Sequence, residues 1–276
     1  MAIVTLSRQS GSLGTQIARS LAEALTVPVL DKETLERGLA EHGIAGASLE
    51  KYDEKRPGFW EIFSSDKNRY LHFLKTVIYD FARSGEGVLL GRGAQVLLAN
   101  VPGVLHVRVV APVKLRRRRL QESLRCDERQ AEQIQRHTDT DRAGFHRFFF
   151  NVNWDDAELY DLILNTNSLS AEAAVAILRS GLGKEPAKQE KELFQRTLAD
   201  RCLQQEVETR ILYQEKVPVK FLEAVARDGA VILNGTVNTR AAVERCGRIA
   251  ADVPGVKSVE NRLYYSTDLY GYMPHA

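Results

Sequence analysis

Cysteine is scarce and poorly placed for structural chemistry: Cys126, Cys202 and Cys246 are widely spaced, and no two form a C-x-x-C pair. An odd, dispersed set gives no disulfide framework and no metal-ligand spacing. An excess of charge of one sign is lacking too. The 38 Lys and Arg nearly balance the 36 Asp and Glu, and a net charge of +2 argues against a general nucleic-acid coat. A local basic cluster on phosphate remains open. No apolar run approaches the ~18 residues needed to span a bilayer. The opening Met-Ala-Ile-Val-Thr-Leu-Ser-Arg has no basic stretch followed by an apolar one. No signal peptide is therefore expected, and the cytoplasm is the expected location.

What is present is a chain of 276 residues, 44% hydrophobic and 27% charged, which suits about two domains with real cores. Ile3 to Leu6 reads as a short strand, followed by a polar glycine-containing loop. Ile17, Ala18, Leu21, Ala22 and Leu25 then recur at helical spacing. Further strands are expected at Val27–Leu30, Val88–Leu90, Val104–Val110 and Tyr160–Leu164. Helices are expected at 70–82, 94–99, 114–122 and 171–182, and Pro57-Gly58 is a break in a charged stretch. Strands alternating with helices predict an α/β fold, a parallel sheet with flanking helices.

The rhythm changes after Gly181–Pro186. Residues 187–215 read as charged helix. Val217–Ala226 and Val231–Val237 then flank Asp228-Gly229, a hairpin signal. A helix over 239–252, the turn Pro254-Gly255 and a strand Val256–Tyr265 complete a small α+β C-terminal domain. The expected division is 1–183, a helical connector 184–199, a domain 200–266 and a tail 267–276.

The loop Ser7-Arg-Gln-Ser-Gly-Ser-Leu-Gly-Thr15 lies between the first strand and the first helix. Open backbone N–H groups and the helix dipole converge at such a place, and glycine lets phosphate oxygens approach the backbone. A phosphate loop reads G-x-x-x-x-G-K-[ST]. Here Gly14 takes the lysine position, and Arg8 or Ser7 takes that of the first glycine. The residues alone leave a phosphate site and an ordinary strand–helix turn both open.

Taken with three further segments, this run resembles the cytidylate kinase-like family. The segments are Val27-Pro-Val-Leu-Asp-Lys-Glu33, Gly87-Val-Leu-Leu-Gly-Arg-Gly93, and Asp141-Arg142 through Tyr160-Asp-Leu162 and Asn165-Thr166. The resemblance covers residues 1 to about 182. It implies a P-loop fold and ATP-dependent phosphorylation of a nucleoside monophosphate, CMP among the candidates, with Mg2+. Ser10, Gly11, Ser12, Gly14 and Thr15 would hold the donor phosphates, and the Thr15 hydroxyl the metal. Arg8 would replace the missing lysine charge. Arg92, with Asp31, would receive the monophosphate, while Arg142 and Arg147 match lid arginines. Contact with magnesium through water, and capping of the next helix, are the other readings of Asp31. Of the run Arg116–Arg119, one or two are expected to face the site and the rest to be solvated. The missing lysine also motivates an alternative, a nucleotide sensor without turnover.

Val231-Ile-Leu-Asn-Gly-Thr-Val237 and Val253-Pro-Gly-Val-Lys-Ser-Val-Glu-Asn-Arg-Leu263 resemble a BON domain over about 200–266. That resemblance implies binding, to a membrane surface or another protein, and not catalysis. The hairpin and the tyrosines of 264–272 offer a self-association or partner surface.

Overall fold

The computed structural model describes residues 2–44, 65–182 and 187–266. The expected break at Pro57-Gly58, residues 183–186 of the junction and the tail with Tyr272 lie outside them. The chain divides into two compact units, Met1–Phe194 and Gln195–Ala276.

The first unit runs β1 (Ala2–Arg8), α1 (Gly14–Leu25), β2 (Val29–Leu30), α2 (Lys32–Glu41), α3 (Ser65–Arg83), β3 (Glu86–Leu90), α4 (Ala94–Leu97) and β4 (Val104–Val110). It continues with α5 (Val113–Leu124), α6 (Glu128–Phe150), β5 (Leu162–Asn165) and α7 (Ala171–Leu182). The strands form one sheet in the order β2-β3-β1-β4-β5, every pairing parallel. Strand alternation sorts β1 between two faces. Val4 and Leu6 join Val88, Leu90, Val107, Val109 and Leu164 against Ile17 and Leu21 of α1 and Leu178 of α7. On the other face Thr5 bonds His106, and Ser7 receives the Trp154 indole N–H at 2.7 Å.

The charged stretch expected as a lid is one continuous helix of 23 residues, α6. Its start is fixed by a capping box, Asp127 accepting from the Gln130 backbone and Gln130 from that of Asp127. Its C-terminal aromatics pack inward. Phe145 and Phe149 are buried, and Phe149 lies 5.4 Å from the Tyr70 ring. The strand expected from Tyr160 begins at Leu162. Tyr160 is spent instead on the Trp154 carbonyl, its hydroxyl donating at 2.9 Å.

The second unit uses α8 (Lys188–Thr209), within which the boundary between the units falls, a π turn (Arg210–Gln214), β6 (Lys220–Arg227), β7 (Ala230–Val237), α9 (Arg240–Ala251), β8 (Ser258–Asn261) and β9 (Tyr264–Tyr265). Asp228 and Gly229, at φ 53° and 86°, make the hairpin turn between β6 and β7. The Asp200 carboxylate accepts the Asp228 N–H at 2.8 Å. The last strand, expected as one piece, is two. Asn261 turns its side chain to the Val243 carbonyl and accepts the Leu263 N–H, which sends Leu263 into the core with Val231, Leu233 and Cys246.

His106 yields a stability prediction. Burial holds its imidazole below the ordinary 6.5, with the Asp161 carboxylate pulling the other way. The folded chain binds this proton less readily than the unfolded chain. The stabilisation is therefore complete above the unfolded value and is lost as pH falls below it. The melting temperature should drop between about pH 7.5 and about pH 5.5, and His106→Gln should flatten part of that drop. An unchanged slope in the variant would remove His106 from the account.

Candidate phosphate site

The loop after β1 is defined by where its carbonyls go. Arg142 Nη1 of α6 donates to the Arg8 carbonyl at 2.9 Å, and Arg116 Nη1 of α5 donates to that of Ser10 at 3.0 Å. Arg119 Nη1 reaches the Gly11 carbonyl at 3.5 Å, and the Thr166 hydroxyl donates to the Ser12 carbonyl at 3.0 Å. In a trans peptide, the carbonyl of one residue and the N–H of the next point in opposite directions. With the Ser10 and Ser12 carbonyls held outward, the Gly11 and Leu13 N–H groups turn to the loop's other side. Among the described residues, the N–H groups of Gly11, Leu13, Gly14, Thr15 and Gln16 meet no protein acceptor.

The start of α1 adds to this. α2 is capped by Asp31, whose carboxylate accepts the Thr34 N–H at 3.1 Å, and α6 is capped by Asp127. At α1 the cap is Leu13, in the left-handed region at φ 66°, with no side-chain hydrogen bond and no acidic residue in the first turn. Open amides and the positive end of the helix dipole suit an anion.

The expected phosphate ligands divide. Gly11 must be glycine: it stands at φ 75°, and a Cβ there would lie 2.5 Å from the Arg116 carbonyl oxygen. Thr15 is exposed on the first turn. Ser10 and Ser12 each have one polar group bonded within the protein. The Ser10 N–H is held by Asp139 at 2.9 Å, and the Ser12 hydroxyl donates to the Gln9 carbonyl at 2.8 Å. Asp139 also pairs with buried Arg116 at 2.6 Å, so the Ser10 backbone is held at its N–H by Asp139 and at its carbonyl by Arg116. That grip, and the roles of Arg116, Arg119 and Thr166, were not assigned from sequence. Within the arginine run, Arg117 pairs with Glu128 and Glu132, and Arg118 with Glu122.

Counting back from Thr15, the first-glycine position of a phosphate loop falls on Arg8 and the lysine position on Gly14. A Cβ at Gly14 would overlap Cβ and Cγ of Arg8. The two positions therefore compete for one space, and this chain fills it from the strand side.

Arg92 follows β3, which lies beside β1 in the sheet. It is 6% exposed and adopts φ 60°, between Gly91 at φ 80° and Gly93 at φ 70°. A bulky residue held in the left-handed region costs energy and marks a position of special use. Asp31 directly follows the neighbouring β2, where its cap of α2 and a 3.9 Å approach to Arg19 occupy it. Arg142 touches the loop. Arg147 is exposed.

Parallel strands flanked by helices, with a glycine-containing loop at the carboxyl end of the central strand, define an α/β unit of the P-loop type. Residues 3–168, more than half of the chain, match the model of the Cytidylate kinase-like family, and the chain belongs to that family. Residues 199–266 match the BON domain. A "Cytidylate kinase" of Pyrobaculum arsenaticum is 30% identical over 179 residues, covering 64% of this chain and 90% of that one. One from Pyrobaculum islandicum is 26% identical over 180 residues, with the same coverage. The "Osmotically-inducible protein Y" of Escherichia coli is 38% identical over 64 residues, which is 32% of its own length and 23% of this chain. Among solved structures, an uncharacterized protein from Eubacterium ventriosum superposes with a TM-score of 0.53 at 20% identity, covering 67% of this chain and all of that one; the likeness concerns the fold alone.

The backbone at Arg92 separates two losses. Arg92→Gly and Arg92→Ala both remove the guanidinium, but only glycine relieves the positive φ. The Gly variant should be more stable than the Ala variant by about 1 kcal/mol in denaturant melts. Equal stability would mean that the turn relaxes and the strain is not held there.

Proposed function

We propose that the first unit transfers the γ-phosphoryl group of ATP to a nucleoside monophosphate, as the names of its relatives suggest, with CMP as the first acceptor to try. The observation that carries this reading is the loop itself: carbonyls tied outward, amides open, and an arginine where the lysine stem would lie. Gly11, Gly14 and Thr15, with the Leu13 and Gln16 amides, would receive the donor phosphates; Ser10 and Ser12 would shape the loop. Arg8 would supply the charge that neutral amides cannot. Arg92, with Asp31 at the neighbouring strand end, would orient the acceptor phosphate. Arg142 and the exposed Arg147 would act from α6 on the transferring group. Positioning and charge neutralisation dominate phosphoryl transfer, so no dedicated base is required.

A magnesium ion suits this donor set. The Thr15 hydroxyl stands on the first turn of α1, and among the described residues no group of three His, Cys, Asp or Glu forms a metal cage of its own. A metal carried largely by substrate phosphates fits such a site, and it would supply charge neutralisation to the bound phosphates. Among the described residues no helix is long and apolar enough to cross a membrane. We read the kinase unit as cytoplasmic, where ATP is, and residues 199–266 as a binding module for a protein, a second copy or a membrane surface.

The missing lysine at Gly14 favours one second reading, a sensor that binds nucleotide without turning it over. A coupled assay of ADP release across the common nucleoside monophosphates separates the two. Turnover with one of them supports the kinase; calorimetric binding without ADP supports the sensor; neither would remove both.

Arg8 provides the sharper test. Arg8→Ala should weaken ATP by about 1.5–3 kcal/mol, as for a lost hydrogen bond to a charged group, and CMP by less. Gly14→Lys alone should fail, because its stem meets Arg8. The pair Arg8→Gly with Gly14→Lys should recover ATP binding by moving the cation to the helix side. Equal ATP affinity in wild type and Arg8→Ala would make Arg8 a turn residue only.

A further inference from the structure

His146 lies on α6, is 2% exposed and has both ring nitrogens engaged. Nδ1 is 2.7 Å from the Arg142 carbonyl, which can only accept, so Nδ1 carries the proton. In the neutral ring Nε2 is then an acceptor, and the Gln95 amide donates to it at 2.8 Å. Gln95 itself is 3% exposed and sits on α4, three residues after Arg92. Arg142 sends its guanidinium on to the Arg8 carbonyl.

These bonds form one continuous path: α4 beside Arg92, then Gln95, His146, Arg142 and the phosphate loop at Arg8. A second contact runs alongside it. Gly93, at φ 70°, lies under the Phe150 ring so closely that a Cβ would overlap it, which seats the start of α4 against the end of α6. α6 therefore touches the loop through Arg142 and the Arg92 turn through His146 and Phe150. A displacement at either end has little slack to absorb it, because buried side chains with two fixed partners shift together or break a bond.

We propose that His146 is a positioning residue that couples the two halves of the site, so that a monophosphate held near Arg92 strengthens triphosphate binding at the loop. This rests on the reading of Arg92 and Arg8 as acceptor-side and donor-side groups. By linkage, ATP must strengthen CMP binding by the same factor.

The test is calorimetric titration of the full chain with ATP, alone and with saturating CMP, followed by the reverse order. His146→Asn keeps a side-chain N–H for the Arg142 carbonyl but is too short for Gln95. Gln95→Met cuts the same link from the other side and leaves His146 on Arg142. Wild type should show a coupling of about 5-fold or more, and both variants should bind each nucleotide alone within about 2-fold of wild type while their coupling falls to about 1. Gln95→Met alone suffices should His146→Asn not fold. Wild-type coupling retained in the variant overturns the proposal, as does wild type that binds both nucleotides independently; the proposed function survives either result. Wild type that binds neither nucleotide overturns both.

Discussion

The orientation of a few peptide planes governs the first unit. A phosphate loop works only if its carbonyls turn away from the anion, since each oxygen facing it would oppose the neighbouring N–H. Here that orientation is imposed from outside the loop. Arg142 holds the Arg8 carbonyl, Arg116 that of Ser10, and the Thr166 hydroxyl that of Ser12. Burying guanidinium groups is costly unless they are paired, and Arg116 is paired to Asp139 and to two carbonyls at once. The glycine at 11 follows from the same arrangement, because the Arg116 backbone comes too close for a side chain.

One helix, α6, carries several of these contacts. Asp139 and Arg142 touch the loop, His146 and Phe150 touch the turn that carries Arg92, and the helix end is pinned by the segment that follows. There, buried Arg108 bonds the Trp154 carbonyl and Asp155, with the Trp154 ring on its face at 4.5 Å and Tyr160 closing the cluster. Trp154 in turn donates to Ser7, directly before Arg8. Strand, loop and helix thus share one polar network on one face of the sheet, while the apolar face against α1 and α7 supplies the hydrophobic burial.

Much of this architecture was legible in the sequence. Apolar runs of three to seven residues alternating with helical periods pointed to the parallel sheet, and Asp228-Gly229 to the hairpin of the second unit. The family motifs singled out Arg8, Gly11, Gly14, Thr15 and Arg92. What sequence could not supply were partners distant in the chain. Asp139 meets Ser10 across 129 positions, and Thr166 meets Ser12 across 154. Nothing local in a charged helix distinguishes Asp139 from Asp141, or Arg116 from Arg118; only the register of α5 and α6 against the loop does. The break between β8 and β9 was hidden for a related reason, since a run of β-formers gives no sign that Leu263 must leave the edge to fill a core.

The central claim is that the loop's open amides, and not another surface, receive the triphosphate. Backbone 15N–1H spectra of the full chain titrated with ATP test it directly. The account predicts that the Gly11, Leu13, Gly14 and Thr15 amides move most, while the Ser10 amide, held by Asp139, moves little. Shifts confined to residues 199–266, or a loop whose amides stay still while nucleotide binds, would contradict it.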